Sequence, residues 1–175
     1  HCISSAASDV YKRQVYNRPN EIDELLKSFS RLEGDKDFEI VIIEDGSTEK
    51  CDHIVKSFSD LNISYHLKSN SGPGDSRNYG MSVAKGKYYV ILDSDVILPV
   101  NYNVLLIENL TNDFSDCFGG VDDSHQSFNN FQKAVSYSMT SFITTGHIRG
   151  GNKSNGFQPR SFNMGISKEA YLPVS

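Results

Sequence analysis

The sequence has little of several features that define other classes of protein. It holds three cysteines in 175 residues, and Cys2, Cys51 and Cys117 lie too far apart to form a metal site. An odd and sparse set of cysteines indicates reduced thiols, so we expect a cytoplasmic protein. The longest apolar runs are IVII and YYVIL, far shorter than a bilayer requires. The chain is therefore predicted to contain no membrane span.

Three ligand-binding signatures are missing as well. The formal net charge is -5, and the chain has no long Lys/Arg block, which argues against a nucleic-acid partner. No Gly-x-Gly-x-x-Gly follows a predicted strand, which argues against a dinucleotide-binding oxidoreductase. The stretch SGPG at 71–74 lacks the Lys-Ser/Thr pair that completes a phosphate loop.

The first fourteen residues, HCISSAASDVYKRQ, do not fit the rest of the chain. They lack the order of a signal peptide, a basic region followed by an apolar one, and they resemble vector or adaptor read-through. We predict that 1–14 is a non-native leader and that 15–175 is one domain. A central parallel strand before VYNRP should be apolar. The Lys-Arg-Gln run there predicts a poorly formed sheet beside Tyr16.

Helices and strands alternate along the next part of the chain. Apolar spacing predicts helices over NEIDELLKSFSRL with Asn20 as N-cap, over STEKCDHIVKSFSDL, and over GDSRNYGMSVAKG ending at Gly86. Continuous apolar runs predict strands over FEIVIIED, ISYHL and KYYVIL, and DCFGGV fits a further strand. This alternation predicts an α/β fold with a mostly parallel sheet flanked by helices.

Two of the predicted strands end in acidic residues, Glu44-Asp45 and Asp93-Ser94-Asp95. Parallel sheets bind ligands outside the carboxyl ends of their strands, and a buried carboxylate is costly unless it is paired or binds a metal. A second Asp-x-Asp, at 35–37, lies in a polar stretch with a glycine and is interpreted as a solvated turn. The strand-end acids therefore predict a site for a cation or a donor-rich ligand.

Four stretches in order carry a resemblance: VYNRP, EIVIIEDGST, NSGPGDSRNYGMSVAKGKYYVILDSDVILP and FNMGISKEAY. Together they resemble the inverting family 2 glycosyltransferases over about residues 15–175. The resemblance implies a GT-A fold, incomplete at both ends. It also implies transfer of a sugar from a nucleoside-diphospho-sugar, most often a UDP-sugar, to a hydroxyl of a saccharide or lipid-linked acceptor. The usual setting is polysaccharide or glycolipid synthesis, in the cytoplasm or at the inner face of the membrane.

The resemblance implies roles for four donor-binding residues. Tyr16 would stack on the nucleobase, and Asp45 would accept a hydrogen bond from it. Arg77 would lie near the base and phosphate end of the donor, and Asp93 near the ribose and sugar. Each also has a plain structural interpretation, as a strand-end aromatic, a turn or helix-cap acid, a solvated helix cation, and a turn acid.

The resemblance further implies a metal site and an acceptor side. Asp95, the second acid of the DXD motif, would ligate Mg²⁺ or Mn²⁺ together with the diphosphate, since hard cations prefer oxygen ligands. Asn163 and Met164 would line the acceptor side. The sequence departs from the family at Glu44, where the family usually has aspartate. The general base is unknown and is expected beyond Ser175, so little transfer is expected from this chain alone.

Two alternative functions stay open on the sequence. A sugar-nucleotidyltransferase shares the sheet and the metal acid, but it usually begins with a Gly-rich loop bearing Arg or Lys, and VYNRPNE is not one. A non-catalytic module that binds a nucleotide-sugar is the other. Titration with nucleoside diphosphates, with and without Mn²⁺, would test these interpretations.

Overall fold

The computed structural model describes residues 9–93, 96–119 and 163–172, with side chains described from Val15 onward. The strands are β1 (Asp9–Val15), β2 (Phe38–Asp45), β3 (Ile63–Lys68), β4 (Tyr88–Leu92), β5 (Cys117–Gly119) and β6 (Asn163–Ser167). The helices are α1 (Pro19–Ser30), α2 (Asp52–Ser57), α3 (Pro73–Val83), α4 (Tyr102–Asn112) and α5 (Lys168–Tyr171). None of the helices within these ranges is long and apolar enough to cross a membrane.

The strands form one six-stranded sheet in the order β3-β2-β1-β4-β6-β5. The first four strands in this order run parallel to one another, and β6 runs antiparallel to both β4 and β5. The predicted mostly parallel sheet is therefore confirmed. The chain winds outward from β1 to β3 and then returns to place β4 on the other side of β1. Such a reversal creates a crevice at the carboxyl ends of the strands where ligands bind.

The two faces of the sheet carry separate apolar clusters. All eight residues of β2 are buried, as expected for a strand that is covered on both faces. On one face Ile40 and Ile42 lie in a cluster with the buried face of α1. On the other face Val41 and Ile43 lie in a cluster with Met81 of α3. The sheet thus lies between α1 on one face and α3 on the other. Burial of each large apolar side chain stabilises the fold by about 1.5–3 kcal/mol.

The expectation of a poorly formed sheet beside Tyr16 is wrong. β1 is one of the two central strands of the sheet, and it pairs with β2 over its whole length from Asp9 to Val15. It also pairs with β4 from Asp9 to Arg13. Strand pairing is made by backbone N–H and C=O groups, which every residue of this run possesses. That 1–14 is a non-native leader stays a prediction.

The helices are confirmed, but two of them begin elsewhere than predicted. α1 begins at Pro19 with Arg18 as the N-cap residue, so Asn20 is not the cap. Proline suits the first helical position because its φ is already helical and its missing N–H has no partner to lose. α2 spans only Asp52–Ser57. The preceding residues 47–49 form hydrogen bonds with Asn17, in the loop after β1, instead of joining the helix.

The third helix ends earlier than Gly86. Its last residue is Val83, and Ala84 adopts an extended conformation with φ -69° and ψ 141°. The next backbone N–H, that of Lys85, donates to Glu39 Oε2 at 3.1 Å and leads the chain into β4. The predicted strands are confirmed with small shifts in their bounds. The helix α4 has no counterpart in the sequence analysis.

Candidate functional site

The candidate site lies along the carboxyl edge of the three strands β2, β1 and β4. Tyr16 follows β1, Asp45 ends β2 and Asp93 follows β4. Val15 pairs with Glu44, so Tyr16 and Asp45 each come directly after paired residues of neighbouring strands. Tyr16 is 51% exposed. The topology therefore brings three of the predicted donor-binding residues to the crevice where the strand order reverses.

Asp45 is a buried carboxylate surrounded by donors. It is 1% exposed, and its Oδ1 accepts hydrogen bonds from Lys68 Nζ at 2.7 Å and from the backbone N–H of Ser71 at 3.0 Å. Its Oδ2 accepts the backbone N–H of Gly72 at 3.0 Å. Burial alone would raise the pKa of Asp45, but the hydrogen bonds from Lys68 and Ser71 outweigh it and lower the pKa below its usual value. Asp45 is therefore ionised at neutral pH.

The turn after Asp45 requires a glycine. Gly46 has a φ of 75°, in the left-handed region that residues with a side chain rarely adopt. A Cβ at this position would lie 2.8 Å from the backbone nitrogen of Asn70. Asn70 in turn donates from Nδ2 to the Asp45 carbonyl oxygen at 3.0 Å. The close approach of these two loops thus depends on the glycine that follows the acid.

Asn17 joins the loops after β1 and β2, and the sequence analysis gave it no role. Its Oδ1 accepts the backbone N–H groups of Thr48 at 2.8 Å and Glu49 at 3.1 Å, and also the Thr48 hydroxyl at 3.0 Å. Its own N–H donates to Ser47 Oγ at 2.9 Å. Its φ of 52° is left-handed, and Asn tolerates that region better than most residues. The sequence signal that could have identified Asn17 is its position between a strand and Pro19, the residue that begins α1.

Glu44, the departure from the family pattern, lies inside the protein. It is fully buried, and its Oε2 accepts the backbone N–H of Cys51 at 3.0 Å, the Cys51 thiol at 3.3 Å and the Tyr65 hydroxyl. Burial alone would raise its pKa, and hydrogen bonds from Ser47, Tyr65 and Cys51 lower it overall. Adjacent strand residues point to opposite faces, so Glu44 fixes the start of α2 while Asp45 serves the loops of the site.

Arg77 and Asp93 form the open side of the site. Arg77 projects from α3, and its Nη2 lies 3.8 Å from Asp93 Oδ1. The side chains are 29% and 46% exposed. An ion pair this exposed contributes little to stability, so both groups can turn toward an anionic or cationic ligand. Asp95, the predicted metal ligand, lies outside the described residues. Among those described, no three His, Cys, Asp or Glu side chains form a metal-binding group.

The two predicted acceptor-side residues lie on β6. Asn163 pairs with Leu92, the last residue of β4, and its Oδ1 accepts the Tyr102 hydroxyl at 2.7 Å. Asn163 is therefore fixed at the same edge as Asp93. Met164 is partly buried against the cluster on the α3 face of the sheet. Their role toward an acceptor stays a prediction.

Comparison with known structures agrees with this fold. A mannosyltransferase from Pyrobaculum calidifontis, solved with GDP-Man and Mn²⁺, superposes with a TM-score of 0.68 at 15% identity, covering 95% of this chain and 46% of that one. The Staphylococcus aureus TarS fragment solved with UDP-GlcNAc gives a TM-score of 0.62 at 26% identity, covering 70% and 36%. The chain has the GT-A fold.

The sequence places the chain in a family. The model of glycosyl transferase family 2 matches residues 14–170, and the chain belongs to that family. An uncharacterised glycosyltransferase of Rickettsia conorii is 44% identical over 82 residues, which is 46% of this chain and 13% of that protein. The poly(ribitol-phosphate) β-N-acetylglucosaminyltransferase TarS of Staphylococcus aureus is 37% identical over 85 residues, 46% of this chain and 15% of TarS. The match thus spans less than a sixth of either relative.

Proposed function

We propose that this chain binds a nucleoside-diphospho-sugar, with uridine as the nucleoside, and that its protein transfers the sugar to a hydroxyl acceptor with inversion. The observation that carries the proposal is that an exposed aromatic, Tyr16, and an ionised buried acceptor, Asp45, stand at the carboxyl ends of the neighbouring strands β1 and β2, beside the switch point of the sheet. An aromatic ring offers a stacking surface to a nucleobase. A fixed carboxylate can accept one of its N–H groups.

The phosphates of the donor would lie toward the open side of the site. Arg77 carries a charge that suits a diphosphate, and Asp93 is a half-exposed oxygen ligand beside it. A carboxylate such as Asp93 fits Mg²⁺ or Mn²⁺, which bind one or two carboxylates together with substrate phosphates. We propose that Asp95 supplies the direct metal contact. A bound cation would stabilise the negative charge that develops on the departing diphosphate.

The acceptor is proposed to be a saccharide or lipid-linked hydroxyl in polysaccharide synthesis. Support comes from the relative TarS, a poly(ribitol-phosphate) β-N-acetylglucosaminyltransferase. The TarS fragment at 26% identity was solved with UDP-GlcNAc, which favours a uridine donor over a guanosine one. The group that deprotonates the acceptor is not among the residues assigned here.

Calorimetric titration with UDP and GDP, each in Mn²⁺ and in chelator, tests the proposal. We expect UDP to bind more tightly than GDP, and more tightly in Mn²⁺ than in chelator. Asp95→Ala should abolish the metal dependence. The matched control is Asp37→Ala, in the exposed Asp-x-Asp turn that precedes β2, and it should behave as the parent. Equal UDP affinity in Mn²⁺ and in chelator would contradict the metal site, and absence of nucleotide binding would contradict the proposal itself.

A further inference from the structure

Lys68, at the end of β3, lies at the centre of a polar cluster below the proposed base site. Its Nζ donates to Asp45 Oδ1 at 2.7 Å and to Ser76 Oγ at 3.3 Å, and it lies 3.2 Å from Asp75 Oδ2. It also donates to the Ser71 hydroxyl, which in turn donates to Asp75. Its side chain is only 16% exposed. Lys68 therefore ties the end of β2 to the loop before α3 and to the first turn of that helix.

The buried position of Asp45 makes this lysine necessary. A buried carboxylate without a paired charge is costly and tends to become protonated. The charged groups that the described structure brings to Asp45 are Lys68 on β3 and, across Lys68, Asp75 on α3. The neutral donors to Asp45 include the backbone N–H groups of Ser71 and Gly72 and the Ser76 hydroxyl. Lys68 is thus a cation in direct contact with the buried Asp45 charge.

The same contact fixes the direction of the carboxylate. Lys68 and Ser71 both donate to Oδ1, and Gly72 donates to Oδ2. With Oδ1 held by a cation, the group cannot rotate without breaking an ion pair inside the protein.

We propose that Lys68 is a positioning residue for nucleobase recognition, because it keeps the Asp45 carboxylate charged and holds its orientation toward the base. This inference rests on the proposed function. Asp75 is 61% exposed and acts only as a second, solvent-screened partner of Lys68. Two carboxylates thus flank Lys68, but only the buried one, Asp45, serves the site.

The experiment compares Lys68→Met, Lys68→Arg and Asp75→Asn with the parent chain. UDP affinity is measured by calorimetry from pH 4.5 to pH 8 in Mn²⁺. Inorganic pyrophosphate in Mn²⁺ serves as the ligand without a base, and the carboxyl carbon resonance of Asp45 is titrated by NMR. Lys68→Met should weaken UDP roughly ten- to hundredfold, the loss of one charged hydrogen bond, and leave pyrophosphate unchanged. Lys68→Arg keeps the charge and should restore most of the affinity, and Asp75→Asn should change it little.

The pH dependence distinguishes positioning from general damage to the fold. In the parent the pKa of Asp45 lies below its usual value. Asp45 should therefore remain an ionised hydrogen-bond acceptor as the pH falls toward about 4. In Lys68→Met the Asp45 resonance should titrate at higher pH, and the loss of UDP affinity on acidification should begin earlier by the same amount. A structural defect alone would weaken both ligands and leave the pH profile in place.

Each failure has its own signature. If the parent binds no UDP, the proposed function fails and the inference with it. If the parent binds UDP and Lys68→Met binds it equally well with the same pH profile, only the inference is overturned. If Lys68→Met does not fold, Lys68→Gln provides the same comparison without the charge. If that variant does not fold either, the parent decides, because an Asp45 resonance that titrates at an ordinary pKa would overturn the inference.

Discussion

Asp45 and Asp93 both stand at the ends of parallel strands of one sheet, yet their surroundings differ. Asp45 is 1% exposed and is held by a lysine and two backbone N–H groups. Asp93 is 46% exposed, with Arg77 at 3.8 Å. The first carboxylate is part of the scaffold that joins the loops of the site. The second is open to solvent, and its long, exposed ion pair contributes little to the fold.

The difference shows that position at a strand end does not by itself give a carboxylate its role. A buried acid must be satisfied by the protein before any ligand arrives, so it ties loops together and fixes their geometry. An exposed acid is solvated by water, which a ligand can displace at small cost to the fold. Substitutions at the two positions should therefore affect stability and binding in different proportions.

Asp45→Asn should have the largest effect on both stability and binding. The amide keeps the shape of the side chain but replaces one acceptor oxygen with a donor, which then faces the donors that surround Asp45. Loss of a charge-assisted hydrogen bond in a buried site costs about 1.5–3 kcal/mol. Urea denaturation should show a loss of that size, and UDP affinity should fall while its dependence on Mn²⁺ persists. Stability and affinity equal to the parent would show that Asp45 has neither role.

Acid should remove the stabilising contribution of Asp45. A group whose folded pKa is lowered stabilises the fold above its unfolded pKa, about 3.9 for Asp, and loses that contribution as the pH falls through the folded value. Glu44 shifts in the same direction, whereas Lys68, whose pKa is raised, loses its contribution only above about pH 10.4. The urea concentration at the unfolding midpoint of the parent should therefore decrease as the pH is lowered below about 4. In Asp45→Asn this decrease should be smaller. An equal decrease in the two proteins would show that Asp45 does not contribute to the acid dependence.

Asn17 should matter to an intermediate degree, because it holds two loops rather than a buried charge. Asn17→Ala removes the acceptor of three hydrogen bonds. It also places alanine, which tolerates left-handed backbone less well than asparagine, at a φ of 52°. We expect a loss of about 1–2 kcal/mol in urea denaturation and weaker UDP binding. Asn17→Asp keeps an acceptor and should stay near the parent. Asn17→Gly loses the same hydrogen bonds at a φ that suits glycine, so the difference between the Gly and Ala variants measures the backbone contribution. An Asn17→Ala variant as stable as the parent would show that the bonds contribute nothing.

Much of this architecture could be predicted from local sequence patterns. The runs IVII and YYVIL within β2 and β4 are apolar throughout because both faces of the strands are covered, and that requirement is visible in the sequence. The acid at the end of each run was visible for the same reason. Pattern reasoning therefore found the sheet, the helices on its faces and the edge where the site lies.

The contacts that bring the loops together were not visible, since they join residues far apart in the chain. Asn17 binds a loop some thirty positions later. Lys68 reaches Asp45 from the adjacent strand β3, where the two residues are register partners. β1 was misjudged because its side chains are polar, while its pairing depends on backbone groups shared with both neighbours. These features follow from strand order, which local periodicity does not specify.

Asp93→Asn should have the smallest effect on stability and should complete the contrast with Asp45. Its side chain is half-exposed and its ion pair with Arg77 is long, so the free energy of unfolding should change by less than about 0.5 kcal/mol. Affinity for a UDP-sugar in Mn²⁺ should nevertheless fall, because a carboxylate close to the proposed sugar and cation is lost. Urea denaturation and calorimetry on the same preparation measure both quantities. A loss of stability as large as that of Asp45→Asn would show that Asp93 is also part of the scaffold, and the distinction between the two acids would then fail.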